Sequence, residues 1–472
     1  MRRVFLIFLI FAFFSFFIFS QSVSQEEKIE KINSNEIDEE KITEIQNRID
    51  TLNYGIEKDI ISLVEVLIKE KDETFETQLL MIFQKTRNVK VREKIIEYFI
   101  VMEKDSLADY AVKILEDPYD EKKSTLSYVF RYVSQLKIKD AAPAVMELIK
   151  NENEDYYDSA IATIGKIGSS QDAQYIASLL DKDDLTVARK QSLMRSLGEL
   201  QAIETFDKLV GIAKDTEENT FVRMYAAEAI GKMKKEEAVE VLAELFEETD
   251  NNLRTYVIKG ISNFNDEKSK SIILEALKDN YYKIRLEAAE ASKKQKIVEA
   301  VPYLLYRAKN DPETSVKYAC YSSLAVLQTD EAVDFLISVV KNKRLSETSR
   351  AKATVVLLEN NIEKSYEPIF TVARDSLKDD KLKNLRYAMG KEFAKYKNPV
   401  FESICRDYLA HKDILTCGTG LDIFMKNDFP GLLEQVKKIA QDDKAGANKR
   451  KAKFVLEKLN HSLLDDKLTE SK

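Results

Sequence analysis

A short pattern of apolar and polar positions recurs along most of this chain. Each copy has an apolar residue, then Arg or Lys, then a stripe of small and aliphatic residues, as at Val222-Arg223 and Ile284-Arg285. We term the cation, or the residue that replaces it, the anchor of the copy. The anchors follow one another at intervals of about 32 residues: Arg92, Thr125, Tyr157, Lys190, Arg223, Arg254, Arg285, Lys317, Arg350, Arg386, Thr416 and Lys449. A regular interval of this length is typical of stacked structural repeats.

Positions that played no part in placing the anchors support the alignment. Seven residues after the anchor, every copy except that with Ser292 has an apolar or aromatic residue. Small or apolar residues stand three positions after most anchors, so these two positions share one face of a helix. Aliphatic residues such as Leu209 and Leu242 stand nineteen positions after the anchor and belong to a second helix. Each unit therefore predicts two helices of about a dozen residues.

The prolines fall where this arrangement tolerates them. One group stands where a second helix should begin, a position at which the missing N–H costs no hydrogen bond: Pro143, Pro302, Pro368, Pro399 and Pro430. Pro118 and Pro312 lie in the predicted turns between units. The sequence thus predicts an all-α protein, an α-solenoid superhelix of about twelve stacked helix pairs over residues 57–459.

The segments outside the repeats differ in composition. Residues 25–38 are polar and rich in Glu and Lys, which is typical of a flexible linker. An amphipathic pattern over residues 39–56 predicts a helix that caps the first unit. Residues 460–472 follow the last apolar stripe and are predicted to form a flexible tail.

The N-terminus has the features of a secretory signal peptide over residues 1–24: two arginines, an apolar run of 16 residues, and small residues after it. We predict cleavage between Ser24 and Gln25, with cleavage after Ser20 or Ser22 as alternatives. The run is shorter than the ~20 residues that a membrane span needs, but an uncleaved signal that tethers the chain to the inner membrane is a further alternative. In either case the remaining chain is predicted to be exported, to a periplasm or beyond.

Two segments resemble HEAT repeats closely: Asp279–Ala289, which reads Asp-Asn-Tyr-Tyr-Lys-Ile-Arg-Leu-Glu-Ala-Ala, and Val222–Gly231. The short interval is similar to that of the bacterial HEAT subtype named after phycobilisome lyases, and the chain is identified as an exported bacterial member of this family. The resemblance covers about residues 57–459. It implies that an Asp ahead of a first helix pairs with the cation within that helix, and the candidate pairs are Asp250 with Arg254, Asp279 with Arg285, and Asp311 with Lys317. We call the row of such pairs the ion-pair ladder.

The composition argues against nucleic-acid binding and against several kinds of metal site. The net charge of −8 speaks against a nucleic-acid surface, which is usually basic. Two His and three Cys leave little for a zinc site, and we predict neither a cofactor nor a metal. Neither His411 nor His461 precedes a Glu, which argues against the paired His-Glu steps of HEAT-fold diiron hydroxylases. Cys320 and Cys405 stand in apolar columns, and a disulfide between Cys405 and Cys417 is left open.

Two tyrosine pairs are candidates for contact with a partner protein. Tyr156-Tyr157 and Tyr281-Tyr282 stand at the start of a first helix or in the turn before it, on a predicted edge of the solenoid. Exposed tyrosines often bind partner proteins. The alternative is that each pair packs over the end of the next unit.

These observations predict an exported HEAT-repeat scaffold that mediates protein–protein interaction in the cell envelope and is not an enzyme. No Gly-rich phosphate loop, nucleophile elbow or EF-hand pattern is present in the sequence. The alternative is an enzyme or a small-ligand-binding protein, similar to the lyases, that uses the concave face of the superhelix. A third possibility is the same scaffold tethered to the inner membrane.

Overall fold

All regular structure in the part of the chain that can be described is helical. The computed structural model describes residues 42–119, 121–152, 154–182 and 184–469. The helices preceding the first anchor are α1 (residues 42–54), α2 (Glu57–Glu70) and α3 (Glu76–Lys85). The helices that carry the anchors are α4 (Val89–Val101), α6 (Lys123–Leu136), α8 (Tyr157–Ile167), α10 (Val187–Leu200), α12 (Thr220–Lys232), α14 (Asn251–Ile261), α16 (Tyr282–Gln295), α18 (Thr314–Leu327), α20 (Glu347–Glu359), α22 (Lys383–Phe393), α24 (Ile414–Asn427) and α26 (Ala447–Thr469).

A second helix follows each anchor-bearing helix except the last one. These second helices are α5 (Ala108–Glu116), α7 (Ala142–Lys150), α9 (Ser170–Leu179), α11 (Phe206–Lys214), α13 (Ala238–Phe246), α15 (Glu267–Ala276), α17 (Val301–Asn310), α19 (Asp330–Lys341), α21 (Tyr366–Lys378), α23 (Glu402–Leu409) and α25 (Leu433–Gln441). With α2 and α3 as the first pair, twelve helix pairs precede α26. The predicted all-α solenoid of about twelve pairs is therefore confirmed.

The described residues fall into two compact units. Residues 64–393 form one, and residues 42–63 together with residues 394–469 form the other. Within the first unit, successive first helices pack directly against one another, and each second helix packs against the first helix that follows it. In the second unit, α23 packs against α24 and α25 against α26 in the same way. A helix pair thus buries its apolar faces against its neighbours.

The apolar columns read from the sequence form the core. Seven residues after the anchor, every residue except Leu456 is buried. The polar exception, Ser292, is fully buried, and its hydroxyl donates to the backbone O of Ala288 at 2.8 Å. Leu209 and Leu242 in the second-helix column are also fully buried. A buried hydroxyl with a helical carbonyl as acceptor carries no unpaired polar group, so Ser can replace an aliphatic residue here.

Glycines bring neighbouring first helices into close contact. A Cβ added to Gly231 on α12 would overlap the Cα of Gly260 on α14. A Cβ added to Gly198 on α10 would stand 2.9 Å from the Cα of Ala229 on α12, also too close for an ordinary contact. These residues form what we call the glycine seam. It sets the distances among α10, α12 and α14, because at most a methyl group stands between their backbones.

Most helix ends lie where the sequence predicts them. Pro143 and Pro302 lie in the first turn of α7 and α17, as expected from their missing N–H groups. Helix α1 lies within the predicted capping segment, and its capping role stays a prediction. Helix α26 continues to Thr469, into the segment 460–472 that is predicted to form a tail, and the flexibility of that segment stays a prediction.

The predicted signal peptide, its cleavage site at Ser24 and Gln25, and the linker all lie outside the described residues. Among the helices that are described, none combines the length and the apolar character that a membrane crossing requires.

The glycine seam can be tested with two Gly→Ala variants that have opposite expected effects. Gly231→Ala gains helix propensity but places a methyl group against the backbone of Gly260, so we expect a net loss of about 1–3 kcal/mol of stability. Gly211→Ala on α11 is the control, because a Cβ there meets nothing within 4 Å, and it should stabilise the protein by about 0.4–1 kcal/mol. Urea unfolding followed by circular dichroism measures both. Equal midpoint shifts in the same direction would contradict the seam.

Candidate functional site

An ion-pair ladder is present along part of the array of repeats, and its pairs join one unit to the next instead of lying within a unit. Arg254 on α14 pairs with the carboxylate of Asp279, which precedes α16. Arg285 on α16 donates through Nε and Nη2 to the two carboxylate oxygens of Asp311 at 2.6 and 2.7 Å. The Arg285 and Asp311 side chains are almost completely buried, at 5% and 0% exposure. A bidentate pair of this kind fixes both distance and orientation between neighbouring units.

This geometry corrects the predicted pairing within a unit. Asp250 does not pair with Arg254 but accepts hydrogen bonds from the first backbone N–H groups of its own helix, α14. Asp311 is taken by Arg285, and Arg307 approaches it at 3.8 Å, so Lys317 is not its partner. The side chains differ in length. An Asp at the N-cap binds the N–H groups of its own helix end, whereas the longer Arg side chain can span the gap between units.

Other anchors make the same contact with an acid of the following unit. Arg92 pairs with Glu121 at 3.0 Å, and Arg223 pairs with Glu248 at 2.5 Å. Several anchors also donate to a carbonyl at the end of the preceding second helix: Arg223 to Ala213, Arg254 to Phe246, Arg350 to Val340 and Arg386 to Ser376. A cation at the C-terminus of a helix satisfies its last carbonyls and its dipole. The anchor therefore contacts the helix before it, and in many units also the unit after it.

Burial and charge act in opposite directions on Asp311. Burial alone raises the pKa of this carboxyl group, because the charged form loses its hydration. The hydrogen bonds from Arg285 and from the backbone N–H of Glu313 outweigh that effect and hold the pKa of Asp311 below its ordinary value. The pair is thus charged at neutral pH.

The tyrosine pairs differ in exposure. Tyr156 and Tyr157 are buried, and the guanidinium of Arg189 in the next unit stacks over the Tyr157 ring at 4.8 Å. The expectation that this pair is exposed for a partner is therefore corrected, since it packs over the end of the next unit. Tyr281 and Tyr282 are half-buried, with ring centroids 5.4 Å apart, and their role in partner binding stays a prediction.

The three cysteines are free and buried. The open alternative of a disulfide is not realised: the Cys405 thiol donates to the backbone O of Gly420, and that of Cys417 donates to the backbone O of Leu409. Burial raises the pKa of the Cys320 thiol to about 12 and raises the pKa of the other two thiols as well. Within the described residues no group of three or more His, Cys, Asp or Glu could hold a metal ion.

A cleft of about 600 Å³ is lined by residues of α10, α12, α14 and α16. We call it the aromatic cleft. Met224 and Thr255 are buried and form its floor, and Tyr225 and Tyr256 form its walls. Phe221 stands at its rim with 54% of its surface exposed. A large aromatic side chain with this exposure beside a concave surface is typical of a binding site.

Two cations order the walls of the aromatic cleft. The Tyr225 and Tyr256 rings meet edge to face at 5.1 Å, and the Tyr256 hydroxyl lies 3.3 Å from that of Tyr225. Nη2 of Arg195 on α10 donates to the Tyr225 hydroxyl at 2.8 Å, and its guanidinium stacks over the Tyr225 ring at 4.6 Å. Nζ of Lys259 lies 4.3 Å from the centroid of the Tyr256 ring. These contacts hold both rings in place before any ligand binds.

The ionisable groups of the cleft favour binding over catalysis. Burial, followed by the contact with Tyr225, raises the pKa of Tyr256 well above its ordinary value, so its phenol is neutral at physiological pH. Burial likewise raises the pKa of Glu287, although Lys259 lies 3.7 Å away and opposes that effect. The residues that line the cleft include neither a thiol nor an imidazole. The arrangement offers aromatic faces and fixed charges, not an activated nucleophile.

Sequence reasoning did not find the aromatic cleft, although a signal existed. The residues two positions after the anchors in three successive units are Tyr225, Tyr256 and Glu287, and all three line the cleft. Phe221 and Asn252 stand two positions before their anchors and also line the cleft. The columns of the repeat that do not enter the core therefore indicate this site.

Comparison with known proteins places the chain among helical repeat proteins. A family model described as spirochaete HEAT repeat protein matches residues 52–455. The karyopherin Kap121p bound to the SUMO protease Ulp1p is similar with 14% identity and a TM-score of 0.41, over 86% of this chain and 52% of that chain. This chain thus spans about half the length of that karyopherin.

A smaller solved structure is also similar. It is the complex of CpcE and CpcF of phycocyanin lyase from Nostoc sp. PCC7120, with 14% identity and a TM-score of 0.32, over 53% of this chain and 89% of that chain. Among curated proteins, none matches this chain.

The ladder predicts a specific effect of Asp311→Asn. Removing the carboxylate leaves the buried Arg285 without its counter-charge, so we expect a loss of about 3–5 kcal/mol of stability at neutral pH. Because the folded-state pKa is lowered, the contribution of Asp311 is complete above its unfolded pKa of about 3.9 and disappears as pH falls through the folded value. The difference between wild type and variant should therefore shrink below about pH 4. Urea unfolding across pH measures it, and a difference independent of pH would contradict the ion pair.

The buried thiols predict a two-stage reactivity. In the native protein, a disulfide reagent at mildly alkaline pH should label the cysteines very slowly, because burial both blocks access and raises their pKa values. In guanidinium chloride without reductant, all three should react at once. Fewer than three reactive thiols after unfolding would show that a disulfide exists.

Proposed function

Because the chain belongs to the family of spirochaete HEAT repeat proteins, we propose that it is an exported scaffold that binds other proteins in the cell envelope and catalyses no reaction. The family match over residues 52–455 confirms the resemblance to HEAT repeats. The repeats define an architecture and not an activity, so the argument for binding rests on the side chains that the repeats display.

The aromatic cleft is the observation that carries this proposal. Its exposed Phe221 and its cation-ordered pair Tyr225 and Tyr256 are of the types that dominate the energetics of protein interfaces. The rings are fixed in advance, so a partner that docks on them loses little side-chain freedom of this chain. Binding of a protein segment is the use that best fits these residues.

The volume of the cleft supports a second candidate, the binding of a small molecule. A space of about 600 Å³ lies within the range of small-molecule sites, which is roughly 300–1,000 Å³. The position of Phe221 at the rim favours a polypeptide, which can extend beyond the cleft on both sides. Recovery of a stoichiometric metabolite with the purified protein would favour the second candidate.

Export is the part of the proposal that rests on the N-terminal sequence alone. The apolar run after Arg2 and Arg3 supports a signal peptide, and cleavage between Ser24 and Gln25 would release the scaffold. Mass spectrometry of the N-terminal peptide separates the alternatives. A start at Gln25 supports a released protein, and a start at Met1 supports one that is tethered to the inner membrane.

Site-specific photo-cross-linking in the native envelope tests the scaffold. A photoreactive phenylalanine analogue at Phe221 should give one or two discrete protein adducts. The same analogue at Tyr306 on α17 is the matched control, because this aromatic residue is similarly exposed, at 59%, but is not part of the cleft. No adduct at either position, with only isolated monomer in the extract, would count against a scaffold, and equal adducts at both would exclude the cleft as the binding site.

A further inference from the structure

At the aromatic cleft the carboxylates have cationic partners, but two of the cations have no carboxylate partner among the described residues. The carboxylate that lines the cleft, that of Glu287, lies 3.7 Å from Nζ of Lys259, and that of nearby Glu228 pairs with Lys232 at 3.0 Å. Two cations stand at opposite ends of the row of helices, Arg195 on α10 and Lys283 on α16. Within the described part of the chain, neither of them forms an ion pair with a carboxylate. A ligand in the cleft therefore meets the uncompensated charge of Lys283, which lines the cleft, and that of Arg195 beside the Tyr225 wall.

This local surplus has the opposite sign to the whole chain, whose net charge is −8. At physiological ionic strength, charges more than about 8 Å apart are largely screened from one another. A ligand in the cleft thus experiences Arg195 and Lys283 more strongly than the distant acidic residues. Carboxylates on the ligand, and not amines, complement them.

Between the two cations, the cleft offers apolar and amide groups. Phe221, Met224 and Leu286 provide apolar surface for one large side chain. The side-chain amides of Gln191 and Asn252 make no hydrogen bond to another described residue, and each can donate and accept. Such an amide matches the N–H and C=O groups of an extended peptide backbone, whose own hydrogen bonds are unpaired.

The spacing of the helices sets the length of the ligand. Three steps between neighbouring helices separate α10 from α16, and at ~8–10 Å a step they span roughly 25–30 Å. An extended polypeptide advances about 3.3 Å per residue, so about eight residues cover this distance.

We propose that the aromatic cleft binds an extended polypeptide segment that carries a large apolar side chain at its centre and carboxylates toward both ends. The proposal rests on the proposed function as a protein-binding scaffold and specifies the chemistry of the partner at this site. Arg195 and Lys283 receive the carboxylates, and Phe221 together with the tyrosine walls receives the central side chain.

Fluorescence anisotropy with designed peptides tests the proposal on the full-length chain. The probe is a labelled peptide of about nine residues, with Asp at both ends and Phe at the centre of a Gly-Ser background. Two matched peptides replace either the two Asp by Lys or the central Phe by Ala. We expect the Asp-Phe-Asp peptide to bind at least about tenfold more tightly than either of them, and to weaken as salt is raised.

Single substitutions identify the cations. Arg195→Gln and Lys283→Gln should each weaken binding of the acidic peptide about three- to tenfold and leave binding of the Lys-ended peptide unchanged or stronger. Lys352→Gln is the matched control, because this exposed lysine lies on α20, away from the cleft, and its loss should change nothing. Circular dichroism spectra that coincide with wild type show that the variants are folded.

The outcomes separate this inference from the scaffold function. Equal affinity for the Asp-ended and Lys-ended peptides, or unchanged affinity in both cleft variants, overturns the inference. If the acidic peptides do not bind but cross-linking at Phe221 still recovers protein adducts, the scaffold function stands and only the inferred charge of the partner is wrong. If both experiments fail, the scaffold function fails with it.

Discussion

The close contact of successive first helices is the constraint on which the rest of the structure depends. Gly231 and Gly260 let α12 and α14 meet backbone to backbone, and Gly198 allows the same approach between α10 and α12. A helix pair cannot bury its apolar faces alone, so the distance to the next pair decides whether its core is filled. The ion-pair ladder acts at the opposite end of the first helix, where Arg285 reaches Asp311. Contacts near both ends of the helix fix its orientation as well as its distance.

The aromatic cleft is a consequence of the same constraint. The close approach of neighbouring first helices brings side chains at equivalent positions within reach of one another across units. Tyr225 and Tyr256 are separated by one repeat in sequence, but their rings are in contact. Arg195 on α10 and Lys259 on α14 then stack on these rings. A repeat that brings equivalent positions together thus turns a column of similar residues into a continuous surface.

The sequence predicts the fold well because its signal is redundant. The anchors, the apolar column that contains Ile230 and Ile261, and the prolines at helix starts all indicate the same helix boundaries. The partner of each anchor is less predictable, because Asp279 and Asp311 each stand six residues before a cation of the following helix, but their carboxylates pair with a cation 25 or 26 residues earlier. Only the packed units decide between the two cations. The burial of Tyr157 likewise depends on Arg189 of the next unit. The cleft draws on four units, so no local pattern contains it.

Because the ion pairs of the ladder cross unit boundaries, whole units can be lost or gained in evolution without separating a pair. Removal of residues 249–279 as one block would delete Arg254 together with its partner Asp279. The pairs on either side, Arg223 with Glu248 and Arg285 with Asp311, would be retained intact. Duplication of the same block would add one complete pair. Recombination between copies of the repeat can therefore shorten or lengthen the array by whole units without leaving a charge buried and unpaired.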